Sequence, residues 1–359
     1  MDNNRYCVIM CGGVGSRFWP FSKAALPKQF IDFFGTGRSL LQMAFDRVNG
    51  IVPVENIILI TNESYEHLIK EQLPEISDDR ILLEPARRNT APCIAWAAHH
   101  IQAINPEAKM MVAPSDHLVI NVEKFRQSVN SAFDFIDSHD ALVTMGIKPS
   151  RPETGYGYIQ VGEAVEGDFS NVKTFTEKPN EDLARVFLES GEFFWNSGMF
   201  FWRADTIIRA LNEHAPEVNA IFEKGDQYFG TPDERKYIED NFEACPSISI
   251  DFAIMEKAPN VFVETVDFGW NDLGTWRSLY EHSPKNKDGN VTQKCKALMY
   301  NSHNNIVAVK GDKLVVTSGL EGYIVADVDD ALLIVPLEEE QKIKNYVNEV
   351  KSKFGDKYL

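Results

Sequence analysis

No two of the five cysteines (Cys7, Cys11, Cys93, Cys245 and Cys295) stand at CxxC spacing, and His303 is the one histidine close to Cys295. That excludes a disulfide framework and a zinc site of the usual spacing. No apolar run approaches the ~20 residues of a membrane span. The opening residues Met1-Asp2-Asn3-Asn4-Arg5 lack the charged and apolar regions of a secretory signal and run directly into Tyr6-Cys7-Val8-Ile9-Met10. A cytoplasmic setting is expected. Basic surplus is also missing: 36 Lys and Arg face 53 Asp and Glu, for a net charge of −17. A broad surface for nucleic acid or anionic membrane is therefore excluded, and any polyphosphate must be held by a local basic cluster, by metal ions, or by both.

What is present is ample apolar material, 44% of 359 residues, enough for a large α/β core and a smaller unit. Apolar runs at residues 6–10, 56–61, 80–83, 109–113 and 141–146 read as buried strands. Helical patterns at 39–48, 63–73, 90–104 and 122–138 lie between them. This alternation predicts an α/β fold with a mostly parallel sheet covered on both faces, its ligands beyond the carboxyl ends of the strands. Further on, a strand or hairpin is expected at 155–159 and strands at 172–176, 197–202 and 261–266, with helices over 181–189, 205–213, 217–224, 233–242 and 250–257. Residues 283–290 are polar and turn-rich, dividing a domain over 1–284 from a small β-rich unit over 290–359. The closing helix carries the stripe Ile343, Tyr346, Val347, Val350, Phe354, which packs on its own chain or on a second subunit.

After the first strand come Cys11-Gly12-Gly13-Val14-Gly15-Ser16-Arg17-Phe18-Trp19-Pro20 and then Pro27-Lys28-Gln29-Phe30. Glycines let backbone N–H groups turn toward an anion. Arg17 offers a planar fork for phosphate and Lys28 a compact charge. A dinucleotide-binding loop would need a small residue where Phe18 stands, and the Gly-Lys-Ser/Thr of a Walker loop is missing. A nicotinamide-dependent oxidoreductase is the competing class on such a sheet, and Phe18 speaks against it.

Residues 12–30 resemble the signature of the sugar-nucleotide pyrophosphorylase family. Trp19-Pro20 with Pro27-Lys28-Gln29-Phe30 resembles its mannose-1-phosphate guanylyltransferase version. The likeness continues in order through Arg88-Asn89-Thr90-Ala91-Pro92, Pro114-Ser115-Asp116-His117, Gly155-Tyr156-Gly157-Tyr158-Ile159 and Phe175-Thr176-Glu177-Lys178-Pro179. Asn196-Ser197-Gly198-Met199-Phe200, Ser249-Ile250-Asp251 and Gly269-Trp270-Asn271-Asp272 complete it. Cys11, Phe18 and Asn271 depart from the common Ala, Leu and Ser, and none of these changes removes a charge or ligand.

The resemblance implies a Rossmann-like nucleotide-diphospho-sugar transferase fold with a β-helix-like C-terminal extension, a region often used for self-association. It also implies transfer of GMP from GTP to mannose 1-phosphate with Mg²⁺, another nucleotide or sugar 1-phosphate being the alternative. The sugar phosphate is already an anionic nucleophile, so catalysis is positioning and charge neutralisation. Arg17, Lys28, Asp116 and Lys178 are the expected catalytic groups; a non-catalytic regulatory relative could have lost such residues. Gly12, Gly13, Gly15, Ser16, Arg17, Lys28, Arg88, Asn89, Thr90 and Ser115 are expected at the nucleotide. Gly155, Glu177, Lys178 and Asn196 are expected at the sugar phosphate, with Gly155 preferred over Gly157 and Asn196 placed in a turn. Asp116 and Asp272 are the expected Mg²⁺ ligands. His117 is read as structural, Asp251 first as a helix cap, the tryptophans as core, and the assembly as a homodimer. Residues 283–359 are too few for a fused isomerase barrel.

Overall fold

The structure is a computed structural model and describes residues 2–13 and 15–359. By packing, the chain falls into two compact units. The first comprises Met1–Gly12, Phe45–Ser115 and Val119–Trp270; the second comprises Gly13–Ala44, Asp116–Leu118 and Asn271–Leu359.

The expected apolar runs form β1 (Arg5–Met10), β2 (Ile57–Asn62), β3 (Ile81–Glu84), β4 (Lys109–Pro114), the two-residue β5 (Leu118–Val119) and β6 (Leu142–Ile147). Then follow β7 (Tyr158–Glu166), β8 (Phe169–Thr176), β9 (Phe193–Arg203) and β10 (Val261–Val266). All but β5 join one nine-stranded sheet in the order β3-β2-β1-β4-β9-β6-β10-β8-β7. β8 and β9 run against the others, so the sheet is mostly parallel with two reversed strands.

The helices are α1 (Leu40–Val48), α2 (Glu66–Gln72), α3 (Thr90–Ile104), α4 (Val122–Ser138), α5 (Glu181–Ser190), α6 (Ala204–His214), α7 (Pro216–Glu223) and α8 (Glu234–Asn241). On one sheet face, Ile94 and Ile101 of α3 and Ile207 and Leu211 of α6 share a core with Val8, Ile60, Met110 and Trp202. On the other, Phe133 of α4 meets Phe201 edge-on at 5.5 Å. Phe201 alternates with Phe200 and Trp202 along β9, so apolar side chains leave the strand on both sides and both faces are covered. No helix among the described residues is long and apolar enough to cross a membrane.

Three local expectations are corrected. Asn196 lies within β9, not in a turn before it, because the strand begins at Phe193. The helix expected over 250–257 is a single π-helical turn, Asp251–Met255, with Ile250 at its cap position, so Asp251 does not cap it. The strand expected at 155–159 begins only at Tyr158, which leaves Gly155 and Gly157 in the approach to it.

After β11 (Trp270–Asn271) the second unit takes in α9 (Trp276–His282). It contains β12 (Val291–Gln293), β13 (Lys296–Tyr300), β14 (Ile306–Val309), β15 (Leu314–Ser318), β16 (Tyr323–Val328), β17 (Ala331–Pro336) and α10 (Ile343–Phe354). β12, β14 and β16 pair in parallel, stacking Val291, Ile306 and Ile324, while β13 pairs in parallel with β15. This is β-helical coiling. A buried amide ladder locks the coils: Asn305 donates to Asn290 Oδ1 at 2.9 Å and to the Leu320 carbonyl at 2.9 Å, and its Oδ1 accepts from Tyr323 N at 2.8 Å. Ile343, Tyr346, Val347 and Val350 of the closing stripe pack on this unit's own core, whereas Phe354 stays exposed.

Glu264 of β10 gives a test of the sheet's interior. It is 3% exposed, and burial, reinforced by the Asp168 charge, pushes its carboxyl up to about 8. A raised acid binds its proton more tightly folded than unfolded, so its ionisation subtracts stability as pH climbs from the unfolded value toward 8. Glu264→Gln should therefore be near neutral at pH 5 and stabilising at pH 9, on the order of a few kcal/mol, read from denaturant midpoints at the two pH values.

Candidate functional site

The opening loop belongs by packing to the second unit, and Phe18 shows why. It is 1% exposed, with Phe33 at 4.6 Å and Trp276 at 5.4 Å between ring centroids. Beside it, the Trp19 indole donates to the Tyr358 carbonyl at 2.8 Å. Gly15 takes a left-handed conformation (φ +68°), and a Cβ there would stand 2.7 Å from Lys28 Cγ. The missing side chain lets the lysine stem lie against the loop. Lys28, 8% exposed, donates to Asp116 Oδ2 at 3.0 Å, to the Asp272 carbonyl at 3.0 Å and to the Leu273 carbonyl at 3.2 Å. Three acceptors match the three donors of an ammonium.

Two aspartates far apart in sequence thus converge on one lysine within this unit. A Cβ on Gly13 would stand 3.9 Å from Asp116 Oδ2, so the glycines reach the same place. Burial alone would raise the Asp116 carboxyl, but the Lys28 charge and then His117 outweigh it and hold the group below its ordinary value. His117 Nε2 lies 3.7 Å from Asp116 Oδ1, in accord with a supporting role. Asp272 Oδ1 accepts from Gly274 N at 3.0 Å, and Asn271 Oδ1 accepts from Leu273 N at 2.7 Å, fixing the turn that presents both carbonyls to Lys28. Arg17 sits in a 3₁₀ turn with its Nε buried and without a partner among the described residues; Ser16 opens the same turn.

The sheet unit holds the remaining candidates. Gly12 is exposed beyond the carboxyl end of β1, and Ser115 is buried beyond that of β4, its N–H on the Met10 carbonyl at 3.0 Å. Arg88, Asn89 and Thr90 lead into α3. Asn89 accepts from Thr90 N at 2.9 Å, Thr90 Oγ1 accepts from Ile250 N at 2.9 Å, and Arg88 donates to the Glu243 carbonyl. All three carry structural bonds.

A second cluster gathers at Glu177, Lys178 and Asn196. A Cβ on Gly157 would fall 2.5 Å from Glu177 Oε2 and 3.3 Å from Asn196 Cβ, whereas one on Gly155 would meet only Glu153. Gly157 is therefore the glycine this cluster requires. Lys178, at φ +47°, pairs with Glu177 Oε1. Asn196 Oδ1 accepts from Thr144 Oγ1 at 2.9 Å and Gly198 N at 3.1 Å, while its Nδ2 donates to Asp251 Oδ1 at 3.0 Å. Burial and then the Glu177 charge push Asp251 up to about 7. Tyr156, Trp195 and Trp270 stand edge-on beside this cluster.

Sequence reasoning missed Thr144 and Glu84 and underrated Asp251. Glu84 ends β3, is 7% exposed, and is raised to about 7 by burial despite a bond from Cys93 and the Arg87 charge. A carboxylate closing a buried strand at its ligand-binding end was the available signal for Glu84.

The loop geometry gives a direct check. Gly15→Ala should cost about 1–3 kcal/mol, because it combines left-handed strain with a clash on Lys28. Gly12→Ala, whose Cβ meets nothing within 4 Å, should stay within about 0.5 kcal/mol. Urea denaturation of both variants measures the difference.

Comparison with known proteins agrees with this geometry. The nucleotidyl transferase family matches residues 6–289, and a MannoseP isomerase/GMP-like beta-helix domain matches residues 297–350. Mannose-1-phosphate guanylyltransferase from Escherichia coli (strain K12) is 37% identical over 97% of this chain and 73% of its own length. The enzyme of the same name from Salmonella montevideo is 38% identical over 96% of this chain and 73% of its own. The crystal structure named "mannose-1-phosphate geranyltransferase" from Thermus thermophilus superposes with a TM-score of 0.87 at 29% identity, covering 97% of this chain and 99% of that one. With a buried lysine joining two aspartates beside a glycine loop, and with relatives along nearly its whole length, the chain belongs to the nucleotidyl transferase family, in its mannose-1-phosphate guanylyltransferase branch.

Proposed function

We propose that this chain transfers GMP from GTP to α-D-mannose 1-phosphate, giving GDP-mannose and pyrophosphate. The observation that carries the reading is the convergence of Lys28, Asp116 and the Asp272 turn beside Gly13 and Gly15. The sugar phosphate oxygen attacks the α-phosphorus in line, and the bond to the pyrophosphate oxygen breaks. No proton must be removed from the nucleophile. The protein's task is to hold two anions that repel each other and to neutralise the leaving group.

Backbone N–H groups of Gly12, Gly13, Gly15 and Ser16, with Arg17, take the triphosphate. The buried Arg17 Nε, without a partner among the described residues, shows a guanidinium with donor capacity left over. Lys28 fixes Asp116 and the Asp272 turn. Lys178 takes the sugar phosphate, Glu177 the sugar hydroxyls, and Arg88, Asn89, Thr90 and Ser115 frame the nucleotide side. Glu84 is proposed to read the base, because guanine presents N1–H and N2–H as adjacent donors and a carboxylate presents the complementary pair of acceptors.

Asp116 and Asp272 are the residues that would hold Mg²⁺. The donor types fit: the Asp116 carboxylate and the Asp272 backbone carbonyl meet at the Lys28 ammonium, which puts two aspartates, each with hard oxygen donors, at one place. No cluster of three or more His, Cys, Asp or Glu ligands exists among the described residues, which suits an ion that takes its other positions from phosphate and water. Bound there, the ion would neutralise charge on phosphate oxygens. The free cysteines accord with a cytoplasmic setting.

The assembly proposed is a homodimer. β13 and β15 leave Leu298, Tyr300, Leu314 and Val316 exposed, with Leu298 directly opposite Val316, a surface of the kind that associates. Light scattering should give the mass of two chains, and Leu298→Lys with Val316→Lys should return one; a monomer in the parent protein defeats this reading.

With mannose 1-phosphate, pyrophosphate release from GTP should exceed that from UTP or ATP by about tenfold or more in kcat/KM, and Glu84→Gln should narrow the gap. Asp116→Asn should lower kcat by about two orders of magnitude or more and weaken the dependence on Mg²⁺. Equal rates with all three nucleotides would defeat the guanine assignment.

A further inference from the structure

Asn196 came from the sequence as a sugar ligand, yet its amide is already committed. Its oxygen holds the Thr144 hydroxyl and the Gly198 N–H, and its nitrogen holds one oxygen of Asp251. Its backbone N–H is used too, on the Gly157 carbonyl at 2.8 Å. An amide oxygen with two donors is saturated, and the nitrogen has one hydrogen spent in the direction of Asp251. The chain Thr144–Asn196–Asp251 therefore runs from the middle of β6 across β9 to the π-helical turn, and it ends on a carboxyl group.

Asp251 accepts from Asn196 and bonds locally with Ser249 and its own backbone N–H. It does not cap its turn, since Ile250 holds the cap position. Burial and a neighbouring Glu177 charge both oppose its ionisation, so the fold tolerates an unfavourable placement there, as functional sites do. Asp251 and Asn196 remain partly exposed, while the Glu177 side chain is 6% exposed. Glu177 approaches the same spot only because position 157 has no side chain. The facing charges are Glu177 and Lys178, and Glu256 accepts from the Glu177 N–H at 3.1 Å.

We propose that Asp251 is a sugar-hydroxyl acceptor that works as a pair with Glu177, and that Asn196 and Thr144 are positioning residues that aim it. Two carboxyl groups, Asp251 held by the Asn196 amide and Glu177 lying against Gly157 with Lys178 beside it, match two neighbouring hydroxyls of a hexose, each carboxyl accepting from one hydroxyl. A polar pair of this kind rejects a sugar that lacks or inverts one hydroxyl, because a buried carboxyl is then left unpaired. The inference rests on the mannose 1-phosphate reading and assigns the residue that selects the hexose.

The test combines a protein change with deletions in the substrate. Parent enzyme and Asp251→Asn, a near-isosteric change, are assayed with GTP and Mg²⁺ against mannose 1-phosphate and its 2-, 3-, 4- and 6-deoxy analogues. With the parent, at least one deoxy sugar should lose about tenfold or more in kcat/KM. In Asp251→Asn that same analogue should lose no more than about twofold relative to the variant's own rate with mannose 1-phosphate, while KM for GTP stays unchanged. Asn196→Ala should weaken the same coupling, and Asp251→Glu should restore part of it if the acceptor's charge matters. Penalties that multiply independently for every analogue would overturn the proposal and leave Asp251 a structural group. A parent enzyme inactive with mannose 1-phosphate would instead sink the activity reading itself, so the two failures are distinguishable.

Discussion

The contact on which most of the second unit's chemistry depends is the buried ammonium of Lys28. Taking a lysine charge out of water is costly unless each N–H finds an acceptor and a counter-charge stands nearby. Here Asp116 supplies the counter-charge and the carbonyls of Asp272 and Leu273 supply the rest. Each acceptor makes its own demand. The Asp272–Leu273 carbonyls point inward because Leu273 adopts a positive φ of 44° in a turn held by Asn271. The lysine stem fits because Gly15 has no Cβ. A salt bridge of this kind says little about net stability, but it fixes the mutual position of three segments distant in sequence.

The sheet unit meets a different demand, holding the buried Glu177 side chain and the Asp251 carboxyl in place. The means is a hydrogen-bond chain between neighbouring strands: Thr144 on β6, Asn196 on β9 and Asp251 beyond them. Because β9 is antiparallel between β4 and β6, it carries Asn196 near its start, beside the end of β6, so the reversed strand delivers side chains to the same sheet edge as its parallel neighbours. A register irregularity between Thr144 and Gly146 accompanies this contact, as bulges often do where a strand re-aims a side chain.

Strand and helix existence was legible because apolar runs and 3.6-residue periodicity are local signals; β10 even matches its expected bounds at Val261–Val266. The glycine loop stood out by its composition, whereas Asp116, Asp272 and the Glu177–Lys178 step were singled out by the family resemblance, since each taken alone reads more readily as a turn, cap or surface group. What escaped were properties that arise only through partners. Asn196 read as a turn residue because asparagine favours turns, yet strand pairing overrode that preference. Asp251 read as a cap because a lone aspartate before an apolar run usually is one; its neighbour Glu177 is far away in sequence. Gly157 and Gly155 were indistinguishable by type, and only the nearness of Glu177 Oε2 separates them.

One side chain also explains why a doubly wound sheet with a glycine loop need not bind a dinucleotide. In that class the third small residue lets the helix after the loop pack closely on the first strand. Here Phe18 stands at that place and cannot be accommodated so. Its ring is instead enclosed by Phe33 and Trp276, in a core that also contains Ile306, Ile324 and Ile343. The chain therefore leaves the sheet after Gly12 and folds with residues from near its C-terminus until it returns at Phe45. The detour brings Lys28 to the aspartates, and a polypeptide that packed its first helix directly against β1 would have no means of doing so.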